Sequence, residues 1–384
     1  MNIAIAHHSL NIPGGAERLC IATIEALLRK NHEVTLITVE KTDWQTVTKN
    51  FGEIKLPERE VYLTTSKISK HLSNVSIASA YFMSYLAQLL ISRGQKKYDL
   101  LLNTFGDIVN SIADITYVHF PLRAAGQLSQ IPAFSNKPMW RFVAPLYGKL
   151  MRGLDLVSPG ILLTNSKFMR EVIKRFLNRN SLVVYPPVDV EPFSSKCYKN
   201  RKNGCTVVVV ASYTPKRHLE QVPLIAKHAK SARFVIMGKA DKYSLPILRR
   251  LKKEIKELDV ENRVSLLQNV PFNKLLDVFS RSEVYLHVMP FDHFGISVVE
   301  AMASGCVPVV HRSGGPWSDI LGCQQGRYGY SYDTAEEAGE LIDMLVADEN
   351  LRIEIASRAI VRAKKFEKNA FMNRIAEVVE KVAA

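Results

Sequence analysis

The sequence contains no Asp-x-Asp. The usual two-carboxylate grip on a divalent cation bridging a diphosphate is therefore missing, which leaves cations and helix ends to do any phosphate work. Neither Gly-x-x-x-x-Gly-Lys-Ser/Thr nor Gly-x-Gly-x-x-Gly occurs, which argues against a P-loop NTPase and a standard dinucleotide enzyme. The 5 cysteines (Cys20, Cys197, Cys205, Cys306 and Cys323) are odd in number and form no Cys-x-x-Cys. That favours reduced thiols in a cytosolic setting over a disulfide frame or a zinc site. No basic leader precedes the short apolar run 1–6, which reads as a first strand rather than a signal peptide. Residues 74–91 lack charge but include Asn74, Ser76, Ser79, Ser84 and Gln88. A spanning helix is not expected there; burial against a sheet is favoured over a helix lying at a membrane interface.

What is present is ordinary globular material: 384 residues, 47% apolar and 23% charged, enough for two domains with a core each. The net charge of +14 is uneven, because residues 1–185 carry +9 of it. Between 137 and 179 there are nine basic and two acidic residues, with Trp140, Phe142 and Tyr147 interleaved. Such a face suits anionic lipid, nucleic acid or a phosphorylated substrate, or is merely solvated. The basic residues fall in no nucleic-acid motif, so no nucleic-acid partner is expected.

Strand and helix patterns alternate, as in parallel sheets wrapped by helices. The pattern predicts strands at 2–8, 32–40, 98–104, 116–120, 161–165 and 182–185, with a first helix over 16–30. The proline-rich stretch 185–192 can continue neither a helix nor a central strand, and reads as an interdomain hinge. A second series follows at 206–211, 233–237, 264–268, 284–289 and 307–311. An exposed helix with Lys/Glu pairs is predicted at 248–258, and a last helix at 366–382. The expected domains are 1–188, 189–365 and a closing helix 366–384: two doubly wound α/β domains facing across a cleft.

The densest chemistry lies in Phe291-Asp292-His293-Phe294-Gly295-Ile296-Ser297-Val298-Val299-Glu300. Here an acid at a strand's end and a second acid eight positions on are separated by a glycine and a helical run. Carboxylates at the C-terminal ends of parallel strands sit where such sheets bind ligands, and accept hydrogen bonds from a ribose diol or sugar hydroxyls. The pattern suits a nucleotide sugar better than a bare phosphate. Gly14 and Gly15 lie between the first strand and first helix, where the backbone can approach an anion, although many plain turns look alike. His119 closes a predicted strand. Lys216 and Arg217 follow the first strand of the second half and are placed to neutralise a diphosphate, unless they form only a solvated turn. Ser313-Gly314-Gly315 is a further strand-to-helix turn, either a pocket wall or simply a tight turn.

These pieces in this order resemble the large retaining glycosyltransferase family of the GT-B fold known as family 4. Within it, His119-Phe120-Pro121, Tyr185-Pro186-Pro187 and His293-Phe294-Gly295-Ile296 look most like the α-1,2-mannosyltransferases that extend dolichol-linked oligosaccharides. The resemblance implies a closing helix that crosses back onto the N-terminal domain. It also implies that Glu300 holds the ribose of the donor and that Asp292, with backbone from Phe294, Gly295 and Ile296, meets the donor sugar. Arg217 and Lys216 would take the diphosphate, His119 would face the transferred sugar, and Gly14 and Gly15 would lie near the phosphates. Implied too are hexosyl transfer without a metal or cofactor, from GDP-mannose or a UDP-sugar to a lipid-linked or glycan acceptor. The setting would be cytoplasmic, peripheral on an anionic membrane face. Asp292 is one methylene shorter than the family's usual Glu, Ser212 stands where many members have Arg, and Ala240 where many have Gly. The first two departures motivate an alternative, a non-catalytic partner subunit of the same fold.

Overall fold

The computed structural model describes residues 1–64, 98–106, 113–121, 160–195 and 205–383. The uncharged stretch 74–91 and the aromatic-basic stretch around Trp140 lie outside them. The chain divides into two compact units, Met1–Pro187 with Lys368–Ala384, and Val188–Glu367.

In the first unit seven parallel strands run β1 (Asn2–Ala6), β2 (Glu33–Glu40), β3 (Arg59–Thr64), β4 (Leu100–Asn103), β5 (Ile115–Val118), β6 (Ile161–Thr164) and β7 (Leu182–Val183). Their spatial order is β3-β2-β1-β4-β5-β6-β7. The order reverses direction between β1 and β4, the switch point at which open α/β sheets bind ligands. Period-two alternation sets the faces: Ile3 and Ile5 join the core beneath the helix Gly15–Arg29, whereas Ala4 and Ala6 pack on the other side. The closing helix Lys368–Ala383 belongs to this unit. Its Phe371, Ile375, Val378 and Val379 recur at helical spacing and enter the same core as Leu19, Ile24 and Leu27. Lys368 meets the buried Glu25 carboxylate at 2.7 Å, and Lys30 meets Glu380 at 3.1 Å.

The second unit repeats the plan with β8 (Thr206–Val210), β9 (Arg233–Gly238), β10 (Val264–Gln268), β11 (Val284–His287), β12 (Val307–His311) and β13 (Tyr330–Tyr332), in the order β10-β9-β8-β11-β12-β13. The Val207–Val209 run of β8 is fully buried, as a central parallel strand requires. The helix Leu245–Glu257 carries exposed pairs Arg250–Glu254 and Lys253–Glu257 while burying Leu248, Leu251 and Ile255. Two later helices are capped by side chains, Thr334 accepting from the Glu337 N–H and Asp348 from the Leu351 N–H.

Two edge strands, β3 and β13, have no counterpart in the sequence reading. Arg59 and Glu60 open β3 and its Val61 and Tyr62 are exposed, so it lacks the apolar run that marks a buried strand. β13 is only three residues long. Phe366, expected to begin the last helix, instead ends a 3₁₀ turn and is buried in the second unit. The chain passes from one unit to the other after Pro187 and again after Glu367, and Val188 bridges to Glu367 at that point.

Candidate active site

In the second unit, the segment after β8 turns sharply through Pro215–Arg217. Tyr213 fixes that turn from below: it is fully buried, and its hydroxyl lies 3.0 Å from the carbonyls of both Ile236 and Leu267, donating to either. The Arg217 guanidinium is thereby brought to 3.9 Å from Asp292 Oδ2 and to 3.2 Å from Met289 Sδ. Its Nε is buried and has no hydrogen-bond partner among the described residues. A buried N–H donor left unpaired costs about 1–3 kcal/mol unless a ligand meets it. Lys216 beside it is exposed. The hydroxyl of Ser212, at the family's frequent arginine position, lies a long 3.4 Å from the Thr214 hydroxyl.

Asp292 is the centre of this arrangement. Its Oδ2 accepts a hydrogen bond from His287 Nε2 at 2.9 Å. Burial alone would raise its carboxyl, but the His287 hydrogen bond and the neighbouring His287, Arg217 and His293 hold it well below the usual carboxylate range. Backbone holds it as firmly as side chains do. The preceding Phe291 adopts a left-handed φ of 53°, unusual for an aromatic residue, and its N–H is taken by Ser313 Oγ at 2.8 Å. The Gly315 N–H donates to the Asp292 carbonyl at 2.8 Å. A Cβ on Gly314 would strike the Asp292 backbone, and one on Gly315 the backbone of His293 and Phe294. The Ser313-Gly314-Gly315 turn is thus a backbone-on-backbone clamp on the acidic segment.

Gly295, at φ 94°, turns the chain into the helix Ile296–Ala303, which carries Glu300, 9% exposed, on its second turn. Ser297 on the first turn pairs with the Tyr285 hydroxyl at 2.7 Å. The Phe294 side chain is buried edge-on against Phe366 at 5.4 Å, so what this residue offers a ligand is its backbone. Ala240 is engaged through its backbone by both Asn269 amide atoms, at 2.9 and 3.0 Å.

In the first unit the ends of β1, β4 and β5 line up. His7 Nδ1 lies 2.9 Å from Thr104 Oγ1, and the Thr104 carbonyl accepts from His119 Nε2 at 2.9 Å. Because the Thr104 hydroxyl donates to the Ala6 carbonyl at 3.1 Å, His7 Nδ1 must be the protonated nitrogen in its bond to Oγ1. Its Nε2 is buried, 3.8 Å from Glu17 Oε1. Gly14 is the N-cap of the first helix and Gly15 its first residue, and a Cβ at Gly14 would meet the Glu17 carboxylate. Burial lowers the His7 imidazole, but Cys20 and Glu17 outweigh it and push it up to about 10. His8, stacked on Phe105 at 5.2 Å, is pushed down to about 4, first by burial and then by His7.

The second unit therefore gathers Arg217, Asp292, the Gly295 turn and the helix bearing Glu300; the first gathers His119, Gly14 and Gly15. Sequence reasoning passed over His287, His7 and Thr104. Their signal was position: each closes or follows a β-strand at its C-terminal end. Among the described residues no group of three or more His, Cys, Asp or Glu side chains is placed to hold a metal ion, and no helix is long and apolar enough to cross a membrane.

Residues 198–365 match the family model of the glycosyl transferases group 1. Among curated proteins, the chain is similar to the human GDP-Man:Man(3)GlcNAc(2)-PP-Dol alpha-1,2-mannosyltransferase, 26% identical over 100% of this chain and 87% of the relative. The Dictyostelium discoideum protein of the same name is 24% identical over 69% of this chain, which spans 58% of that relative's length. Among solved structures, Anabaena HepE in complex with UDP and glucose has a TM-score of 0.71 at 18% identity, covering 99% of each chain. WaaG, a glycosyltransferase involved in lipopolysaccharide biosynthesis, has a TM-score of 0.69 at 12% identity over 98% of this chain and 99% of its own. Residues 198–365 belong to the glycosyl transferases group 1, and the chain is a glycosyltransferase of the GT-B fold.

Proposed function

We propose that this glycosyltransferase moves a mannosyl group from GDP-mannose onto a hydroxyl of a lipid-linked glycan, with retention of anomeric configuration and without a metal. The observation that carries this reading is the Arg217 guanidinium, with a buried unpaired Nε, beside the ionised Asp292 at 3.9 Å. That pairing offers a cation to a diphosphate and a hydrogen-bond acceptor to a sugar hydroxyl from one small region. The choice of mannose and of a lipid-linked acceptor rests on the names of the full-length relatives.

In the proposed step the bond from the sugar C1 to the phosphate oxygen breaks as a bond from C1 to the acceptor oxygen forms on the same face. The departing phosphate takes the acceptor's proton, so no enzyme nucleophile is needed. Arg217 and Lys216 stabilise the charge growing on that phosphate; a single well-placed donor of this kind is worth about 10²–10³ in rate. Glu300 binds the ribose hydroxyls, and Asp292 and the Phe294–Ile296 backbone bind the sugar.

A UDP-sugar donor is the second reading, favoured by the UDP complex of Anabaena HepE, whose fold this chain shares. Isothermal titration with GDP-mannose, UDP-glucose and UDP-N-acetylglucosamine, with and without EDTA, separates the two. Tight binding of GDP-mannose alone, unchanged by EDTA and lost in Glu300→Ala, is the expected result. Binding of a UDP-sugar alone replaces the donor, and binding abolished by EDTA overturns metal independence.

A further inference from the structure

We propose that His287 is a positioning residue for Asp292: it holds one carboxylate oxygen so that the other is presented to a hydroxyl of the donor sugar. The inference rests on the proposed role of Asp292 in donor binding.

The geometry has three parts. His287 closes β11, 94% buried, and its backbone carbonyl is tied by the Tyr332 hydroxyl at 3.2 Å, so the ring stands on a rigid strand. Its Nε2 donates to Asp292 Oδ2 at 2.9 Å, and Arg217 leans on the same oxygen at 3.9 Å. Both cationic or donating neighbours thus converge on Oδ2, while Oδ1 makes no hydrogen bond among the described residues and the side chain keeps 15% of its surface open. A carboxylate with one oxygen held and one open is oriented, not merely charged.

The arrangement also accounts for the short side chain. A glutamate reaching one methylene further could choose among more rotamers, and would need its own support to settle into one. Aspartate has fewer rotamers, and with the Gly314 and Gly315 clamp on its backbone and His287 on its Oδ2 its direction is fully determined. His287 does not touch the reacting atoms in this scheme. It acts through Asp292, and its loss frees the carboxylate to rotate, so that Oδ1 no longer meets the sugar hydroxyl in a fixed direction.

The test compares the full-length wild type with His287→Leu, His287→Gln, Asp292→Asn and the double variant His287→Leu/Asp292→Asn. Transfer from the preferred nucleotide sugar is measured alongside binding of the free nucleoside diphosphate. Glutamine places an amide N–H close to where Nε2 stood, so His287→Gln is expected to retain transfer within about 5-fold. His287→Leu is expected to lose about 10–100-fold in kcat/KM for the donor, as second-neighbour supports typically do. Nucleoside diphosphate binding should change less than 3-fold. The double variant should be no worse than Asp292→Asn alone, because the two act as one unit. An active wild type with His287→Leu unaffected, or with effects that multiply in the double variant, overturns the positioning role alone. A folded His287→Leu that loses nucleoside diphosphate binding equally also overturns it, since a general structural role would do that. Absence of transfer from every donor by wild type overturns the proposed function, and the inference with it.

Discussion

The two units share one strand order, with the third, second and first strands leading into the fourth, fifth and sixth, yet they furnish their strand ends with opposite chemistry. In the first unit the ends of β1, β4 and β5 carry His7, Thr104 and His119, joined hydroxyl to ring and carbonyl to ring. In the second, the ends of β8 and β11 lead to Arg217 and Asp292, a full cation and a full anion 3.9 Å apart. A common topology thus fixes where a ligand can sit, and the residues that close each strand decide what it can be.

The backbone treatment differs in the same sense. Gly314 of the second unit sits at φ 70°, where a Cβ would strike the Asp292 backbone, whereas Gly14 of the first is extended and a Cβ there would meet the movable Glu17 carboxylate. At these two positions the glycine of the charged site meets fixed backbone, whereas Gly14 meets a side chain that can shift.

The sharpest way to break the comparison is Arg217→Ala. The expected result is a loss of about 10²–10³ in kcat with little change in unfolding, since a half-buried cation is removed from a turn that Tyr213 anchors independently. An equal loss from a lysine or arginine elsewhere on the surface would show the effect to be one of net charge. Next in size, Gly314→Ala should destabilise the chain by about 2 kcal/mol or more, because a side chain at positive φ and a backbone collision add. Gly14→Ala should cost less than about 0.5 kcal/mol, because only the Glu17 carboxylate must move. Urea unfolding of both variants reads the contrast, and equal effects would abolish it.

Acid separates the units by window. His8, pushed down to about 4 in the folded chain from an ordinary 6.5, binds fewer protons folded than unfolded between those values. Stability therefore rises with pH across about 4 to 6.5, by on the order of 2 kcal/mol. His7, pushed up to about 10, is protonated in both states over that window and adds no slope there; its contribution is lost as pH rises toward 10. Asp292 is held low, so its contribution is present above the ordinary carboxylate value and disappears only as pH falls through its lower folded value. Comparing wild type with His8→Phe between pH 4 and 7 should flatten the first slope and leave the Asp292 region, read in Asp292→Asn, unchanged. A matched pair of tyrosines, one in each unit, tests the turn that carries Arg217. Tyr117→Phe removes a 2.6 Å bond to the Val184 carbonyl, and Tyr213→Phe removes the one hydroxyl donor shared by the Ile236 and Leu267 carbonyls. Each should cost about 1 kcal/mol in thermal unfolding, and only Tyr213→Phe should also lower turnover, because its turn carries Arg217.

Much of the fold was legible because buried parallel strands leave unmistakable runs, such as Thr206–Val210 and Val307–His311. Arg59–Thr64 was not, because this edge strand opens on charged residues and leaves Val61 and Tyr62 exposed, and Tyr330–Tyr332 was not, because three residues are too few to show a period. The turns at Gly14, Gly295 and Gly314 were visible as glycines, but nothing in the spacing distinguished the clamp at Gly314 from the open loop at Gly14. His287 was invisible as a partner of Asp292. A histidine ending a strand reads alike whether its ring meets a carboxylate, as here, or a backbone carbonyl, as His119 does.

By itself the sequence determined two alternating α/β series, their buried strands, and the placement of acids, cations and glycines at the ends of those strands. That is local information, carried by apolar periodicity and by turn residues a few positions apart. The return of the last helix to the first unit was expected from the family resemblance, but only the tertiary structure decided that Arg217, His287, Asp292 and Gly314 share one site. Most of those contacts join residues tens of positions apart, and their geometry is set by sheet order and by close packing of backbone on backbone, which no local pattern records.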